Sequence, residues 1–220
     1  MSQFATARRT MVDNQLRTTD VTDPRLLAAF GSLPREAFVP EAAKSFAYID
    51  QAHRLSATPP AGRWLMAPSP AAKLIQLADI AASDKVLVVG AGTGYSVAVI
   101  AHLAASVVGL EEEPALAEAA SGAIASLSLA NASIVVGPLA AGLAAAAPFD
   151  VIVIEGAIEV LPETFAGQLA EGGRLVTIGG TGPAMQAKAY VKAGGLTGRN
   201  AFSASAKVLP GFVKAREFVF

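Results

Sequence analysis

The sequence predicts an α/β fold with a doubly wound, mostly parallel central sheet, an N-terminal helical annex and antiparallel C-terminal strands. Two observations lead to this fold class. Between residues 85 and 178, short β-branched runs alternate with segments long enough for helices, a pattern typical of parallel strands covered on both faces. The first run, Lys85–Val89, leads into a glycine-rich turn at Gly90–Gly94 and then into a helical pattern, as strands of such sheets do where they bind ligands.

The first fifty residues are predicted to form helices. Met11 and Leu16 belong to one sparse apolar stripe. A second helix is predicted to begin with Asp23 as its N-cap and Pro24 in its first position, and to end at Gly31. These helices form the N-terminal annex.

The segment from Asp50 to Pro70 is predicted to be an irregular surface loop. It carries several prolines and has no clean periodicity, and loops of this length often have a function. Ser69 is predicted to cap the helix that follows, with Pro70 in its first position.

The remaining elements alternate along the chain. The predicted strands are Lys85–Val89, Ser106–Leu110, Ala132–Val136, Asp150–Ile154 and Arg174–Ile178, and the predicted helices between them are Tyr95–Ala105 and Pro114–Leu127. Beyond Gly180, the runs Ala189–Lys192 and Leu196–Phe202 flank two glycines as in a hairpin, and Glu217–Phe220 is predicted to be a last strand. The sheet is therefore expected to end antiparallel.

Composition narrows the classes of function. The 220-residue chain has a formal net charge of −1 and a pI of about 6.1, which argues against a nucleic-acid-binding surface because such surfaces need clustered Lys and Arg. The absence of cysteine excludes disulfides and Cys-ligated zinc and fits a reducing compartment, and no metal site is predicted.

The long uncharged stretches 86–110 and 119–149 are broken by glycine and rich in Ala and Ser, so no membrane span is predicted. Since residues 1–17 lack the apolar run of a secretory signal, a cytoplasmic protein is expected.

The glycine-rich turn is predicted to bind a ligand. Glycine permits positive φ and a close approach of the backbone, and free N–H groups at the next helix favour an anionic group. The spacing is G-x-G-x-G, which disfavours NAD and ATP because their sites need G-x-G-x-x-G or a P-loop. Glu111 follows the second strand about 20 residues later, where nucleotide-binding α/β folds place a ribose-binding carboxylate. A solvated acidic helix start is the other interpretation of these residues; it is favoured for Glu112 and Glu113, whereas ligand binding is favoured for Glu111.

These features resemble the Rossmann-type S-adenosylmethionine-dependent methyltransferases, and within them the protein-L-isoaspartate O-methyltransferase family. The broader resemblance rests on the segments Gly90–Tyr95, Gly109–Glu111 and Leu169–Val176. The narrower one rests on Met11-Val12, Gln15-Leu16, Thr22–Arg25, Pro34-Arg35, Phe38–Pro40, Ala47-Tyr48, Asp50, Phe149–Pro162 and Leu209-Pro210. The N-terminal block is its specific part, because other methyltransferases lack it, and the resemblance covers nearly the whole chain.

The resemblance implies methyl transfer from S-adenosylmethionine to the free carboxylate of an isoaspartyl residue in a damaged protein or peptide. It also implies a monomer with one domain over residues 1–220, made of N-terminal helices and a substrate loop (1–68), a cofactor-binding core (69–180) and C-terminal strands (181–220). A carboxylate is already ionised at neutral pH, so catalysis is expected to rest on alignment and the exclusion of water. The implied cofactor-binding residues are Gly90, Ala91, Gly92, Thr93, Gly94, Tyr95, Glu111 and Glu112.

The chain departs from the family pattern within this site. Met66 stands where the family's loop carries the serine counted as its active-site residue, and a thioether donates no hydrogen bond to a substrate carboxylate. Val88 and Pro138 stand where the family has acidic residues on the cofactor side. Glu155 ends the fourth strand where the family commonly has a small residue. Met66 and Glu155 are therefore the candidate catalytic residues.

Several alternatives stay open at this level. Glu155 is expected to bind an amine, replace a lost cofactor contact or pair with an arginine. Arg63 is either a partner for a substrate carboxylate or a structural residue, and Trp64 is either a lid or a core residue. For the whole chain, the alternatives are a methyltransferase of the same fold with another substrate and a non-catalytic binding protein.

Overall fold

The structure, a computed structural model, describes residues 3–58 and 62–214. The helices are α1 (Gln3–Met11), α2 (Pro24–Ser32), α3 (Pro68–Leu77), α4 (Tyr95–Ala101), α5 (Pro114–Ser126) and α6 (Thr164–Gln168). The strands are β1 (His53–Arg54), β2 (Trp64–Leu65), β3 (Lys85–Val89), β4 (Ser106–Glu111), β5 (Ala132–Val136), β6 (Phe149–Ile158), β7 (Leu169–Gly179), β8 (Gln186–Lys192) and β9 (Leu196–Ser203). A π-helical turn at Val12–Leu16 extends α1, and short 3₁₀ turns lie at Arg17–Thr19, Arg35–Phe38, Glu41–Phe46, Leu139–Ala141, Ala144–Ala146 and Gly182–Ala184.

Within the described residues, the main sheet has the strand order β5-β4-β3-β6-β7-β8-β9. The first five strands in this order are parallel, and β8 and β9 are antiparallel. The chain leaves β3 towards β4 and β5, then returns to the other side of β3 with β6. This reversal makes the carboxyl end of β3 the topological switch point, where ligands bind in open α/β sheets.

Alternate residues of β3 pack into two different cores. Val86 and Val88 belong to the larger cluster, which also holds buried residues of the N-terminal helices, α3 and α4. Leu87 and Val89 belong to the second cluster on the opposite face, with Phe165 of α6. Both faces of the sheet are therefore covered, which explains the continuous apolar strands in the sequence and confirms the predicted fold class.

The N-terminal helices are confirmed with one small shift at a boundary. The side chain of Asp23 accepts hydrogen bonds from the backbone N–H groups of Arg25 and Leu26 at the start of α2. The helix ends at Ser32 rather than at Gly31. The extended backbone of Leu33, which precedes Pro34, ends it, because a residue before proline disfavours the helical conformation.

The segment predicted as an irregular loop is more ordered than expected. His53 pairs with Leu65 in a short antiparallel hairpin of β1 and β2. Helix α3 begins at Pro68, so the prediction that Ser69 caps this helix is wrong. The backbone N–H of Ser69 instead donates to Oδ1 of Asp50 at 2.9 Å. A carboxylate distant in sequence thus supplies the cap.

We expect Asp50→Ala to lower the free energy of unfolding by about 1 kcal/mol, because an N–H group at the start of α3 loses its acceptor. The matched control is Ser69→Ala, which keeps the backbone N–H and hence the bond to Asp50. Urea denaturation of both variants measures the difference. Equal stability of the Asp50 variant and the wild type would contradict this role.

Several core elements differ from the predictions in length. Helix α4 ends at Ala101 instead of residue 105, because Nδ2 of Asn131 donates to the carbonyls of Ala101 and Ala104 and replaces helical N–H donors. Strands β6 and β7 are longer than predicted, and no α-helix separates β5 from β6, only two 3₁₀ turns. Local periodicity does not show these tertiary contacts.

The C-terminal hairpin is confirmed as β8 and β9. The predicted strand at residues 217–220 lies outside the described residues. No helix among the described residues is long and apolar enough to cross a membrane.

Candidate functional site

The glycine-rich turn lies at the switch point and has the backbone geometry that the sequence predicts. Gly90, Gly92 and Gly94 have φ values of 85°, 55° and 90°, which only glycine adopts without strain. The N–H groups of Gly90 and Ala91 donate to the carbonyl of Leu110 at 2.9 and 3.0 Å. These bonds join the turn to β4, so the turn is held by the sheet itself.

Glu111 is buried and fully engaged by donors of its own chain. Its carboxylate accepts two hydrogen bonds from Arg63, at 3.1 Å from Nε and 2.8 Å from Nη2, and the two side chains are 2% and 0% exposed. It also accepts the backbone N–H groups of Gly92, Glu112 and Glu113. Burial opposes ionisation of Glu111, but Arg63 and the backbone N–H groups outweigh it and lower the pKa of the carboxyl. Arg63 therefore has a structural role here, because its Nε and Nη2 are held by Glu111.

Side chains of the same chain also cover the glycine turn. A Cβ atom at Gly90 would lie 3.0 Å from Nη2 of Arg63 and 3.2 Å from Cδ1 of Leu209, and one at Gly92 would lie 2.8 Å from Cδ1 of Leu55. The space beside the turn is thus filled by the loop before β2 and by the segment after β9.

The side chains of Thr93 and Tyr95 contact the N-terminal segment of the chain. Oγ1 of Thr93 donates to the carbonyl of Phe38 at 2.6 Å. The side chain of Tyr95 is fully buried between Phe30 and Phe38, at ring distances of 5.7 and 5.3 Å, and Arg35 lies 4.7 Å from its ring centroid. Tertiary packing thus turns the Tyr95 side chain into the core, so a role of Tyr95 in cofactor binding stays a prediction that rests on its backbone.

A cavity of about 450 Å³, here called the loop cavity, lies beside the covered turn. Its lining includes Asp50, Met66, Lys73, Glu155, Lys207 and Leu209. The two ammonium groups stand over aromatic rings, Lys73 at 4.6 Å from Phe202 and Lys207 at 5.2 Å from Trp64. The structure thus brings both candidate catalytic residues, Met66 and Glu155, into one cavity.

Glu155 is a buried carboxyl with unused hydrogen-bonding capacity. It is 5% exposed, and its Oε2 has no hydrogen-bond partner. Burial raises the pKa of Glu155 to about 7, against the opposing effects of a hydrogen bond with Ser96 and the charges of Arg35 and Arg63. No arginine among the described residues forms an ion pair with Glu155. Near neutral pH this group exists both as an acid and as a carboxylate.

A second and more open cleft of about 720 Å³, here called the acidic cleft, lies at the ends of β4 and β5. It is lined by Thr58, Glu112, Glu113, Pro114, Ala115, Gly137 and Pro138. Glu113 accepts hydrogen bonds from the hydroxyls of Ser56 and Thr58 at 2.8 and 3.1 Å, so it holds the loop rather than only facing solvent. Burial raises the pKa of Glu112, which faces the same cleft.

Sequence reasoning did not assign several residues that shape the site. Arg35 donates to the carbonyls of Ala47 and Met66 at 2.8 and 2.5 Å. These bonds link the two ends of the loop that precedes α3. Lys73 and Lys207 supply the positive charge of the loop cavity. Their positions depend on long-range packing, which local sequence patterns do not show.

Comparisons with known proteins identify the relatives of this chain. The family model described as protein-L-isoaspartate(D-aspartate) O-methyltransferase (PCMT) matches residues 6–202. A protein-L-isoaspartate O-methyltransferase of Koribacter versatilis (strain Ellin345) is 40% identical over 192 residues, covering 87% of this chain and 84% of the relative. One of Roseiflexus sp. (strain RS-1) is 39% identical over 173 residues, covering 79% of this chain and 77% of the relative.

Solved structures show the same fold. A protein-L-isoaspartate O-methyltransferase with 25% identity aligns over 93% of this chain with a TM-score of 0.81, and this chain spans 66% of that protein. A Plasmodium falciparum structure, described as a complex of a protein of the same type with S-adenosyl-L-homocysteine, aligns over 92% of this chain and 97% of its own with a TM-score of 0.73 and 19% identity.

Proposed function

This chain belongs to the protein-L-isoaspartate O-methyltransferase family, and we propose that it methylates the free carboxylate of isoaspartyl residues in damaged proteins, with S-adenosylmethionine as the methyl donor. The observation that carries the proposal is the family match over residues 6–202. The loop cavity beside the glycine turn supports it, because it is a separate space for a methyl acceptor next to the place expected for the donor.

The reaction needs little acid–base chemistry from the protein. One carboxylate oxygen forms a bond to the methyl carbon while the carbon–sulfur bond breaks, and the electron pair of that bond goes to sulfur. A methyl ester and S-adenosylhomocysteine result, and no proton is transferred. The protein must therefore align oxygen, carbon and sulfur and exclude water.

The residue types at the glycine turn and at the end of β4 suit a nucleoside ligand. The hydrogen-bond acceptors of Glu111, however, are occupied by groups of this chain. The turn offers glycine backbone, β4 ends in a carboxylate, and the acidic cleft lies beside both. Arg63, however, occupies two acceptor positions of Glu111, and Leu209 contacts Gly90. We infer that the ribose hydroxyls of the donor replace Arg63 on Glu111 and that Leu209 moves when the donor binds.

The other site residues follow from this arrangement. We propose that Met66 and Glu155 contact the methyl acceptor, since both line the loop cavity. We propose that Glu112 contacts the nucleoside from the acidic cleft and that Gly90, Ala91, Gly92, Thr93 and Gly94 contribute through their backbone. Val88 is fully buried in the core and takes no part, so the donor has fewer carboxylate contacts than the family pattern provides.

Calorimetric titration with S-adenosylhomocysteine tests the donor site. We expect binding to the wild type and an affinity about fivefold lower for Glu112→Gln, because one charged hydrogen-bond acceptor is lost. Glu118→Gln, an exposed change on α5, is the matched control and should bind as the wild type does.

The outcomes separate the classes of function. Binding to the wild type that is weakened at Glu112 supports the methyltransferase. The absence of binding at millimolar ligand would contradict it and favour a non-catalytic binding protein with this fold. Binding that is unchanged at Glu112 would remove that residue from the donor site.

We further propose that the protein works as a monomer in the cytoplasm. The lack of cysteine is compatible with a reducing compartment. Light scattering of the purified chain tests the monomer, and fractionation of the source cells tests the location.

A further inference from the structure

We propose that Glu155, as a neutral carboxylic acid, donates a hydrogen bond to the carboxylate of the methyl acceptor and so selects acceptors that carry a free carboxylate. The inference rests on the proposed function and names a role that neither the family match nor the relatives assign. Its basis is the geometry of the loop cavity.

Glu155 has an unused hydrogen-bonding position at the loop cavity. Glu155 lines the cavity, is 5% exposed, and leaves Oε2 without a partner. A buried polar atom without a partner costs free energy, so a ligand that supplies the missing partner gains what the free protein lacks. The unsatisfied atom therefore indicates a polar group in the bound ligand.

The charged residues of the loop cavity indicate that this ligand group is an anion. Lys73 on α3 and Lys207 after β9 both line the cavity, and their positive charges favour an anion. The carboxylate of Asp50 also lines it, but this group accepts the backbone N–H of Ser69. Met66 offers no donor on its side of the cavity. An anionic acceptor group thus meets the positive charges of both lysines in this cavity, and Glu155 is the lining carboxyl that can donate to it in its neutral form.

Only the neutral form of Glu155 can donate a hydrogen bond to an anion. An ionised Glu155 repels a carboxylate, whereas the neutral acid donates one O–H group to it. The groups that act on the ionisation of Glu155 are the hydroxyl of Ser96 from α4, through a hydrogen bond, and the charges of Arg35 from the 3₁₀ turn at Arg35–Phe38, Arg63 from the loop and Glu111 from β4. Both arginines favour its ionised form, but burial outweighs them and raises the pKa of Glu155 to about 7. The acid is thus populated at the pH where proteins work.

The test is a binding titration with an isoaspartyl peptide from pH 6 to pH 8. The chain has one tryptophan, Trp64, which lines the cavity, so its fluorescence reports binding independently of methyl transfer. For the wild type we expect an affinity about tenfold lower at pH 8 than at pH 6, since the acid fraction of a group with a pKa of about 7 falls by that factor. Glu155→Gln keeps a donor at every pH and should bind with a flat profile.

Two further variants make the test decisive. Glu155→Ala should bind at least tenfold more weakly than the wild type at pH 6, with no pH dependence, because it has no donor. Glu163→Gln, an exposed change, should keep the wild-type profile. Equal pH profiles for the wild type and Glu155→Gln would overturn the proposal, and so would wild-type affinity in Glu155→Ala or a lack of peptide binding at pH 6.

The results that would contradict the proposed function differ from those that would contradict the role of Glu155. If the isoaspartyl peptide and its aspartyl control, with its side-chain carboxylate, bind equally while the pH profiles follow the expectation, Glu155 recognises carboxylates and the isoaspartyl specificity is wrong. If isoaspartyl binding is selective but the pH profiles of the wild type and Glu155→Gln coincide, the function stands and the role of Glu155 is wrong.

Discussion

Arg63→Ala is expected to lower the free energy of unfolding by about 3–5 kcal/mol, because it leaves the carboxylate of Glu111 buried without its cation. Arg63 and Glu111 share two hydrogen bonds at 2.8 and 3.1 Å and are almost fully buried. S-adenosylhomocysteine is expected to raise the melting temperature of this variant more than that of the wild type. In the variant the ligand meets a free carboxylate, whereas in the wild type it must first displace the guanidinium.

The control for the Arg63 prediction is Arg17→Ala, which removes an exposed ion pair with Asp13 and should change stability by less than about 1 kcal/mol. Arg63→Met keeps an apolar stem in the buried position and provides a second variant if the alanine variant fails to fold. Thermal unfolding with and without ligand measures both effects. Equal ligand-induced shifts in the wild type and both Arg63 variants would show that Arg63 does not compete with the ligand.

The free energy of unfolding is expected to fall as the pH rises, because of Glu155. The folded pKa of Glu155 is raised from 4.5 to about 7, so the folded protein binds a proton that the unfolded chain has released above pH 4.5. This contribution to stability is complete below pH 4.5 and is lost as pH rises through 7. Glu155→Gln cannot ionise, so its stability relative to the wild type should increase by about 3 kcal/mol between pH 4.5 and pH 8.

Urea denaturation at several pH values measures this difference, and Glu163→Gln is the control. The control should follow the wild type throughout, because an exposed carboxyl titrates at similar pH in both states. A constant difference between Glu155→Gln and the wild type from pH 4.5 to pH 8 would mean that Glu155 is ionised in the folded protein.

The fold was predictable because each core strand shows its burial in its own residues. The run at Lys85–Val89 is apolar at four successive positions, which requires two covered faces. The glycine turn was predictable for a related reason, since its positive φ values restrict the residue type at Gly90, Gly92 and Gly94.

The engagement of Glu111 by Arg63 was not predictable from local pattern. The sequence places a carboxylate at the end of β4, but its partner Arg63 lies 48 residues away in a proline-rich loop. Similarly, the acceptor that begins α3 is Asp50 rather than Ser69, since a tertiary contact replaces the local cap. The burial that raises the pKa of Glu155 also arises only once β6 is packed against its neighbours.

The most direct test of the central claim is methyl-ester formation on an isoaspartyl peptide and on its normal aspartyl control, with labelled S-adenosylmethionine at pH 6.5. The expected result is transfer to the isoaspartyl peptide at a rate at least tenfold above the control, with one equivalent of S-adenosylhomocysteine per ester. Binding of S-adenosylhomocysteine without selective transfer to the isoaspartyl peptide would contradict the claim and assign the Met66 and Glu155 cavity to another acceptor.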